Sequence, residues 1–216
     1  MSKILHFENK QPTNSFAPVY QYFIYETELA FLDTNLLEEI ILAKEKTIIE
    51  KYPAHGDGNT GLGEDSLTSR YPYFNLLEWE ETSFLKNIIK SCHSEFLFNI
   101  GYKETTIYAQ CWANVLRKGE QIKKHRHCVD GYSYLGGHIC VTANNTSTHY
   151  ITPNTGDIYS SENVPGKITL FPAYIEHYTD EVESDNPRIT IAFDLVDERG
   201  YQEDTLDDMK SHWVKL

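Results

Sequence analysis

Two histidines separated by a single residue, His125 and His127, are the first side chains in the sequence that could do chemistry. On a β-strand, residues i and i+2 point to the same side, roughly 6–7 Å apart at Cα. Two imidazoles placed in this way could bind one divalent metal ion. Because such pairs also occur by chance on surface strands, the pair indicates a metal site only if a further ligand joins it.

A third histidine, His177, lies fifty residues after His127, in a segment with its own pattern. Gly166 predicts a turn, the residues up to Phe171 predict a buried strand, and Pro172 precedes the histidine by five positions. In a double-stranded β-helix, two segments so separated can lie side by side. Three protein ligands would leave positions open at the metal for oxygen and substrate, as a catalytic site requires.

An arginine, Arg188, begins an alternating strand eleven residues after His177, with Thr190 on the same face. An arginine that enters a core pocket is costly unless it meets an anion. Its planar guanidinium suits a carboxylate in bidentate geometry. A surface ion pair is the alternative, but the position so soon after His177 favours a bound carboxylate.

The order of these motifs resembles that of the 2-oxoglutarate- and iron-dependent oxygenases. It is similar to a group of such enzymes that is common in phage and marine bacterial genomes. In that group a Trp-x-Asn strand precedes the H-x-H pair, and a Leu-Phe-Pro segment precedes the distal histidine. The corresponding residues here, within a resemblance that spans about residues 105–196, are Trp112, Asn114, Leu170, Phe171 and Pro172.

The resemblance implies a jelly-roll core that uses Fe(II), 2-oxoglutarate and molecular oxygen. It places the metal ligands at His125, His127 and His177. It also implies that Arg188 binds the distal carboxylate of 2-oxoglutarate and that Thr190 assists. Asn114 could hydrogen-bond the cosubstrate or be satisfied by the backbone around its own strand.

One position departs from the usual pattern, because most such oxygenases have aspartate or glutamate where His127 stands. Either three histidines bind the metal, or Asp130 turns inward as a carboxylate ligand. Three-histidine sites are frequent in cupins, and the same segments also fit the two-motif cupin pattern. Arg188, rather than the histidines, is therefore what favours 2-oxoglutarate.

These residues lead to one hypothesis and two alternatives. The hypothesis is oxidative decarboxylation of 2-oxoglutarate coupled to hydroxylation of a C–H bond, in a small molecule or a peptidyl residue. A cupin-type dioxygenase or isomerase would need the metal but not 2-oxoglutarate. A non-catalytic jelly-roll binding module would need neither for catalysis.

The elements that must position these residues change in character along the chain. The sequence predicts helices over about 35–51, with a capping box of Asn35 and Glu38, and over about 82–98. The glycine-rich segment 53–74 between them predicts a mobile surface loop which, with Ser66 to Arg70, is a candidate lid. Six short strands are expected later, at about 105–115, 138–142, 148–152, 156–160, 167–171 and 188–196.

Early helices and late strands predict an α+β, mainly β fold, with a jelly-roll (double-stranded β-helix) core and supporting N-terminal helices. We expect a single domain over residues 1–216. In it, 1–104 would support the core, 105–196 would form the catalytic jelly roll and 197–216 would be a tail. His138 is expected to be a core histidine satisfied by a hydrogen bond.

The composition limits the classes of binding partner and the cellular compartment that we expect for this protein. A net charge of −13 disfavours binding to nucleic acid. The N-terminal residues lack the apolar stretch of a signal peptide, and no apolar run approaches the ~18 residues that span a membrane. The four cysteines include no C-x-x-C pair, so we expect reduced thiols in a cytoplasmic protein. The sequence is compatible with a homodimer.

Overall fold

The computed structural model describes residues 2–8, 14–17, 19–127, 134–153, 155–203 and 212–216. Two long helices lie in the N-terminal half, α1 at Thr34–Lys51 and α2 at Leu85–Asn99, where the sequence predicts them. A third, short helix, α3, occupies Glu198–Glu203 in the predicted tail. Within the described part of the chain, no helix is both long enough and apolar enough to cross a membrane.

The start of α1 differs from the predicted capping box. The side chain of Asp33 accepts a hydrogen bond from the backbone N–H of Leu36 at 3.0 Å, which makes Asp33 the N-cap. Asn35 and Glu38 both lie inside the helix. The capping-box prediction is wrong because a better acceptor, two residues upstream, satisfies the first turn.

The described residues contain ten strands. Seven of them form one antiparallel sheet: β1 Lys3–Glu8, β2 Gln21–Glu28, β3 Ile107–Leu116, β4 Leu135–Thr142, β7 Lys167–Pro172, β9 Arg188–Asp197 and β10 Val214–Lys215. Three form a second antiparallel sheet: β5 Ser147–Ile151, β6 Ile158–Glu162 and β8 His177–Thr179. The six predicted strands correspond to β3, β4, β5, β6, β7 and β9, whereas β1, β8 and β10 were not predicted as strands.

The order of the large sheet is β1-β2-β7-β4-β9-β3-β10, and that of the small sheet is β6-β5-β8. The central strand β9 pairs with both β3 and β4, and in these registers Thr190 lies opposite Asn114 and Cys140. The sequence neighbours β4 and β5 belong to different sheets, as do β7 and β8. The chain therefore passes repeatedly between two facing sheets, as expected for a jelly roll.

Alternation along β9 divides its side chains between two environments. Ile189, Ile191 and Phe193 pack into the main hydrophobic core with Leu37 of α1 and Ile89 of α2. Each such side chain contributes about 1.5–3 kcal/mol when fully buried. The two helices therefore cover one face of the large sheet, and the even-numbered residues of β9 face the small sheet.

The predicted surface loop at 53–74 is only partly exposed. Thr68–Tyr73 forms a short 3-10 helix, and Ser69 and Arg70 are buried. The guanidinium of Arg70 donates hydrogen bonds to the backbone oxygens of Tyr52 and Ser66, each at 3.3 Å. The prediction of a surface loop is therefore wrong for residues 67–70, which pack into the protein, whereas the role of a lid stays a prediction.

Candidate metal centre

The three predicted histidines come together in the structure. One ring nitrogen from each of His125, His127 and His177 lies within 4.8 Å of the other two. His177 lies on β8, but His125 and His127 lie outside the named strands, so the predicted H-x-H strand is wrong. Their ring centroids are nevertheless 5.4 Å apart.

Backbone hydrogen bonds replace that strand in holding the histidines. The N–H of His125 donates to the carbonyl of His177 at 3.1 Å, and the N–H of His177 donates back at 2.9 Å. The N–H of His127 donates to the carbonyl of Ala173 at 3.0 Å. The segment that carries the first two histidines is thus fixed to the segment that carries the third.

The Nδ1 atom of each histidine faces a hydrogen-bond acceptor. His125 Nδ1 lies 2.9 Å from the carbonyl of Lys123, and His177 Nδ1 lies 3.1 Å from that of Ile175. His127 Nδ1 makes a short contact with a carboxylate oxygen of Asp194. Since Nδ1 is the donor in each ring, the Nε2 atoms present their lone pairs to the cluster.

The spacing of these nitrogens suits a metal ion. His127 Nε2 and His177 Nε2 are 3.4 Å apart. Two facing lone pairs require a shared proton or a cation between them. Nitrogens bound to one first-row metal at about 2.1 Å would be separated by roughly 3–3.5 Å. The donor set therefore fits a divalent transition metal that accepts imidazole.

Burial and neighbouring charges shift the pKa values of the three histidines in different directions. Burial, together with the charge of His127, lowers the pKa of His125 to about 4, and burial lowers the pKa of His177 well below its ordinary value. Burial also disfavours the charged form of His127, but the carboxylate of Asp194 outweighs it and raises the pKa of His127. His125 and His177 are consequently neutral near pH 7, as metal ligands must be.

Arg188 lies in the same cavity as the histidines. The cavity has an empty volume of about 420 Å³, including solvent at its mouth, and Thr190 also lines it. Arg188 is 1% exposed, and its Nε and Nη1 atoms have no hydrogen-bond partner among the described residues. Burial lowers the pKa of Arg188. A surface ion pair is therefore excluded, and an unpaired buried guanidinium indicates an anion site.

Asn114 and His138 line this cavity too. The Asn114 Oδ1 atom accepts hydrogen bonds from Thr68 Oγ1 at 2.5 Å and from Trp112 Nε1 at 3.2 Å. Side chains, not the backbone, thus satisfy this oxygen. Burial and then the charge of Arg188 lower the pKa of His138 to about 3, so that this ring is neutral.

A second cavity, with an empty volume of about 410 Å³ that includes solvent at its mouth, is also lined by His125 and His127. We call it the outer cavity, and the one that contains Arg188 the inner cavity. The outer cavity was not predicted from the sequence, and its lining includes Asp57, Tyr71, Trp112, Arg126 and Asp194. Of these, Asp194 could have been found from strand alternation, because it lies on the same face of β9 as Arg188. Asp130, the predicted alternative ligand, lies outside the described residues.

Comparison with known proteins gives a family match and a set of similar folds. A family described as "Putative 2OG-Fe(II) oxygenase" matches residues 136–194. A search of the curated proteins found no match. Among solved structures, a prolyl hydroxylase from Trichoplax adhaerens, in complex with a hypoxia inducible factor peptide, has a TM-score of 0.59 at 12% identity. That alignment covers 84% of this chain and 87% of the other.

Two further structures are similar. A viral collagen prolyl hydroxylase from Paramecium Bursaria Chlorella virus-1, in complex with 2-oxoglutarate, has a TM-score of 0.52 at 13% identity, over 81% of this chain and 96% of that one. An α-ketoglutarate-dependent carbocyclase from nogalamycin biosynthesis has a TM-score of 0.56 at 11% identity, over 81% and 79%. These likenesses show the fold, and with the family match they confirm the predicted double-stranded β-helix and the resemblance to 2OG-Fe(II) oxygenases. The matched family implies Fe(II), 2-oxoglutarate and molecular oxygen, in agreement with what the resemblance implies.

Proposed function

We propose that this chain is an Fe(II)- and 2-oxoglutarate-dependent oxygenase that hydroxylates a C–H bond in a small-molecule or peptidyl substrate. The observation that carries the proposal is the buried Arg188, whose Nε and Nη1 atoms lack partners among the described residues, in one cavity with three clustered histidines. The histidines alone suit many metal enzymes. The unpaired guanidinium is what demands a second, anionic ligand beside the metal.

His125, His127 and His177 would hold the iron through their Nε2 atoms. Bound iron supplies the means to couple oxidative decarboxylation of 2-oxoglutarate to hydroxylation of a C–H bond by molecular oxygen. The chain's own contribution at this end is orientation. Two backbone carbonyls and one carboxylate fix the three rings with their Nε2 lone pairs converging, so that little reorganisation is needed when metal enters.

Arg188 would bind the distal carboxylate of 2-oxoglutarate within the inner cavity. Thr190, two residues along the same strand face, would add a hydroxyl donor. Because the Oδ1 atom of Asn114 already accepts two hydrogen bonds, its NH₂ group is the part free to act on a cosubstrate. These three residues would exclude water from the carboxylate and set its direction.

The outer cavity would receive the substrate. It shares His125 and His127 with the inner cavity, so a molecule bound there would approach the metal without displacing a ligand from Arg188. Tyr71 and Trp112, whose ring centroids are 5.5 Å apart, provide an aromatic wall. One similar structure holds a peptide, which supports a peptidyl substrate as one of the two classes.

We also propose a cytoplasmic location and a substrate other than nucleic acid. Three cysteines, Cys92, Cys111 and Cys140, are buried free thiols, which is typical of a reducing compartment. The net charge of −13 opposes a phosphate backbone. A homodimer remains a prediction from the sequence.

The test is to add Fe(II) to the protein without oxygen and to record the visible spectrum with and without 2-oxoglutarate. Chelation of 2-oxoglutarate to iron should produce a weak charge-transfer band. In R188M the band should require far more 2-oxoglutarate or be absent, while metal binding is retained. Since methionine removes an unpaired buried cation, we expect R188M to unfold at no lower a temperature than the wild type.

Arg117 provides a matched control, because its guanidinium pairs with Glu45 on the surface, away from both cavities. R117M should leave the band unchanged. Metal binding without a band in the wild type would favour the cupin-type alternative, which the three-histidine set also suits. A wild type that binds no stoichiometric metal would favour a non-catalytic binding module.

A further inference from the structure

The three histidines differ in what holds their Nδ1 atoms. His125 and His177 face neutral backbone carbonyls, whereas His127 faces the carboxylate of Asp194. Among these three contacts, only the one at His127 brings a formal negative charge to the cluster. His127 also occupies the position of the first motif at which related oxygenases have a carboxylate.

The strand that carries Asp194 and the strand next to it place the Asp194 carboxylate beside His127. Asp194 lies on β9, on the same face as Arg188, and its side chain is 29% exposed at the outer cavity. Opposite it in the sheet is Gly136. A Cβ atom at Gly136 would lie 3.4 Å from His127 Nδ1 and 3.0 Å from the ring of Phe171. The glycine therefore avoids a tight contact with Phe171, and it keeps the strand in ordinary van der Waals contact with the imidazole beside Asp194.

A carboxylate that accepts the Nδ1–H of a ligand histidine raises the basicity of the other ring nitrogen and gives the ring some imidazolate character. Three neutral imidazoles would otherwise leave the full charge of a divalent ion uncompensated. The carboxylate need not touch the metal to act, because the ring transmits part of its charge.

We propose that Asp194 supplies to the metal, through His127, the negative charge that a three-histidine ligand set lacks. Asp194 is then a positioning residue that sets metal affinity and the reduction potential of the iron. The inference rests on the proposed metal site but not on 2-oxoglutarate.

The experiment compares wild type with D194N, in which the asparagine can still accept the Nδ1–H but carries no charge. Affinity for Co(II), measured by its visible absorption without cosubstrate, should fall by roughly 10- to 100-fold. The Fe(III)/Fe(II) reduction potential of the iron-loaded protein should rise, because a negative charge near the metal stabilises the ferric state. A residue that merely held the fold would not move the potential in this direction.

Asp180 gives a matched control. Its carboxylate accepts from His149 Nε2 at 2.8 Å, so D180N removes one charge from an Asp–His pair that contains none of the three clustered histidines. D180N should leave Co(II) affinity and the potential unchanged. Thermal unfolding of both variants checks that each is folded.

A second background makes the test independent of how well D194N folds. In H127D the carboxylate would be a direct ligand, so the charge from Asp194 becomes redundant. D194N should then weaken Co(II) binding much less in H127D than in wild type, and the difference is the coupling between the two positions.

The outcomes separate this inference from the proposed function. Equal Co(II) affinity and equal potential in wild type and D194N, or an equal effect of D194N in both backgrounds, would overturn the inference and leave the oxygenase proposal intact. A wild type that binds no Co(II) or Fe(II) would overturn both. Loss of the 2-oxoglutarate band in R188M, with the D194N effects present, would support both.

Discussion

Two groups of side chains that line the inner cavity differ in how far their hydrogen bonds are satisfied: the three histidines, which we call the histidine end, and Arg188 with Thr190, which we call the arginine end. At the histidine end the Nδ1 atoms are all engaged, and the donors come from irregular backbone and the three-residue strand β8. At the arginine end the side chains come from the long central strand β9. There, two guanidinium nitrogens have no partner among the described groups.

This difference indicates what each end requires from a ligand. The histidine end is already oriented, and a metal ion adds only the missing cation. At the arginine end, burial of the unpaired guanidinium is unfavourable until an anion binds to it. The metal end should therefore tolerate a change at Arg188, but a bound dicarboxylate should need both ends.

The largest expected effect comes from breaking the histidine end at His177. H177A removes a ligand, so metal affinity should fall by more than the roughly 10- to 100-fold that changes outside the ligand shell cause. It should also abolish the 2-oxoglutarate band even though Arg188 is unchanged, because the cosubstrate loses its chelating partner. Titration with Co(II), followed by 2-oxoglutarate under anaerobic Fe(II), measures both.

Retention of stoichiometric, tight metal binding in H177A would show that His177 is not a ligand. H149A is a suitable control, since His149 lies on the small sheet next to β8 and bonds Ser160 and Asp180. Its loss should leave metal binding unchanged.

A smaller effect is expected from Thr190 at the arginine end. T190V keeps the shape of the side chain and removes one hydroxyl from the inner cavity. A net hydrogen bond contributes about 0.5–1.5 kcal/mol, so 2-oxoglutarate affinity should weaken by roughly 2- to 12-fold. Metal affinity without cosubstrate should not change, and a parallel loss of both would contradict the division of the cavity into two ends.

The two ends also differ in how far the sequence predicts them. Period-two alternation is reliable on β9, so Arg188 and Thr190 were assigned to one face, and both line the cavity. The same rule predicts that the rings of His125 and His127 lie close together, which they do. The cause is different, however, because the two residues do not lie on a strand. Their approach depends on long-range hydrogen bonds to His177 and Ala173, which local pattern does not encode.

Long-range packing explains the other differences. The glycines of the segment 53–74 predict an exposed loop, but the 3-10 helix at Thr68–Tyr73 is largely buried. The residues on either side of it, Leu67 and Phe74, pack into the core and hold it there. Strand alternation places Asp194 on the same face as Arg188, but its contact with His127 depends on the packing of two distant segments. Local sequence indicates the type of element well, but contacts between distant segments decide which polar side chains meet.

The smallest expected effect concerns His93, a buried histidine that belongs to neither end. Its Nε2 atom lies 2.7 Å from the hydroxyl of Tyr134, and burial lowers its pKa from 6.5 to about 4. Because the unfolded chain binds a proton at this residue below pH 6.5 and the folded protein does not until about pH 4, stability should fall as pH drops through that range. The contribution should be on the order of 1 kcal/mol between pH 7 and pH 5.5.

H93Q removes this titration while an amide can still bond Tyr134. Urea unfolding of metal-free protein at both pH values should show that wild type loses more stability than H93Q, by about that amount. An equal loss in both proteins would show that His93 does not stay neutral on acidification. A larger loss in wild type would extend the comparison, since a buried histidine outside the cluster would then contribute only to stability, whereas each clustered histidine keeps one nitrogen for a ligand.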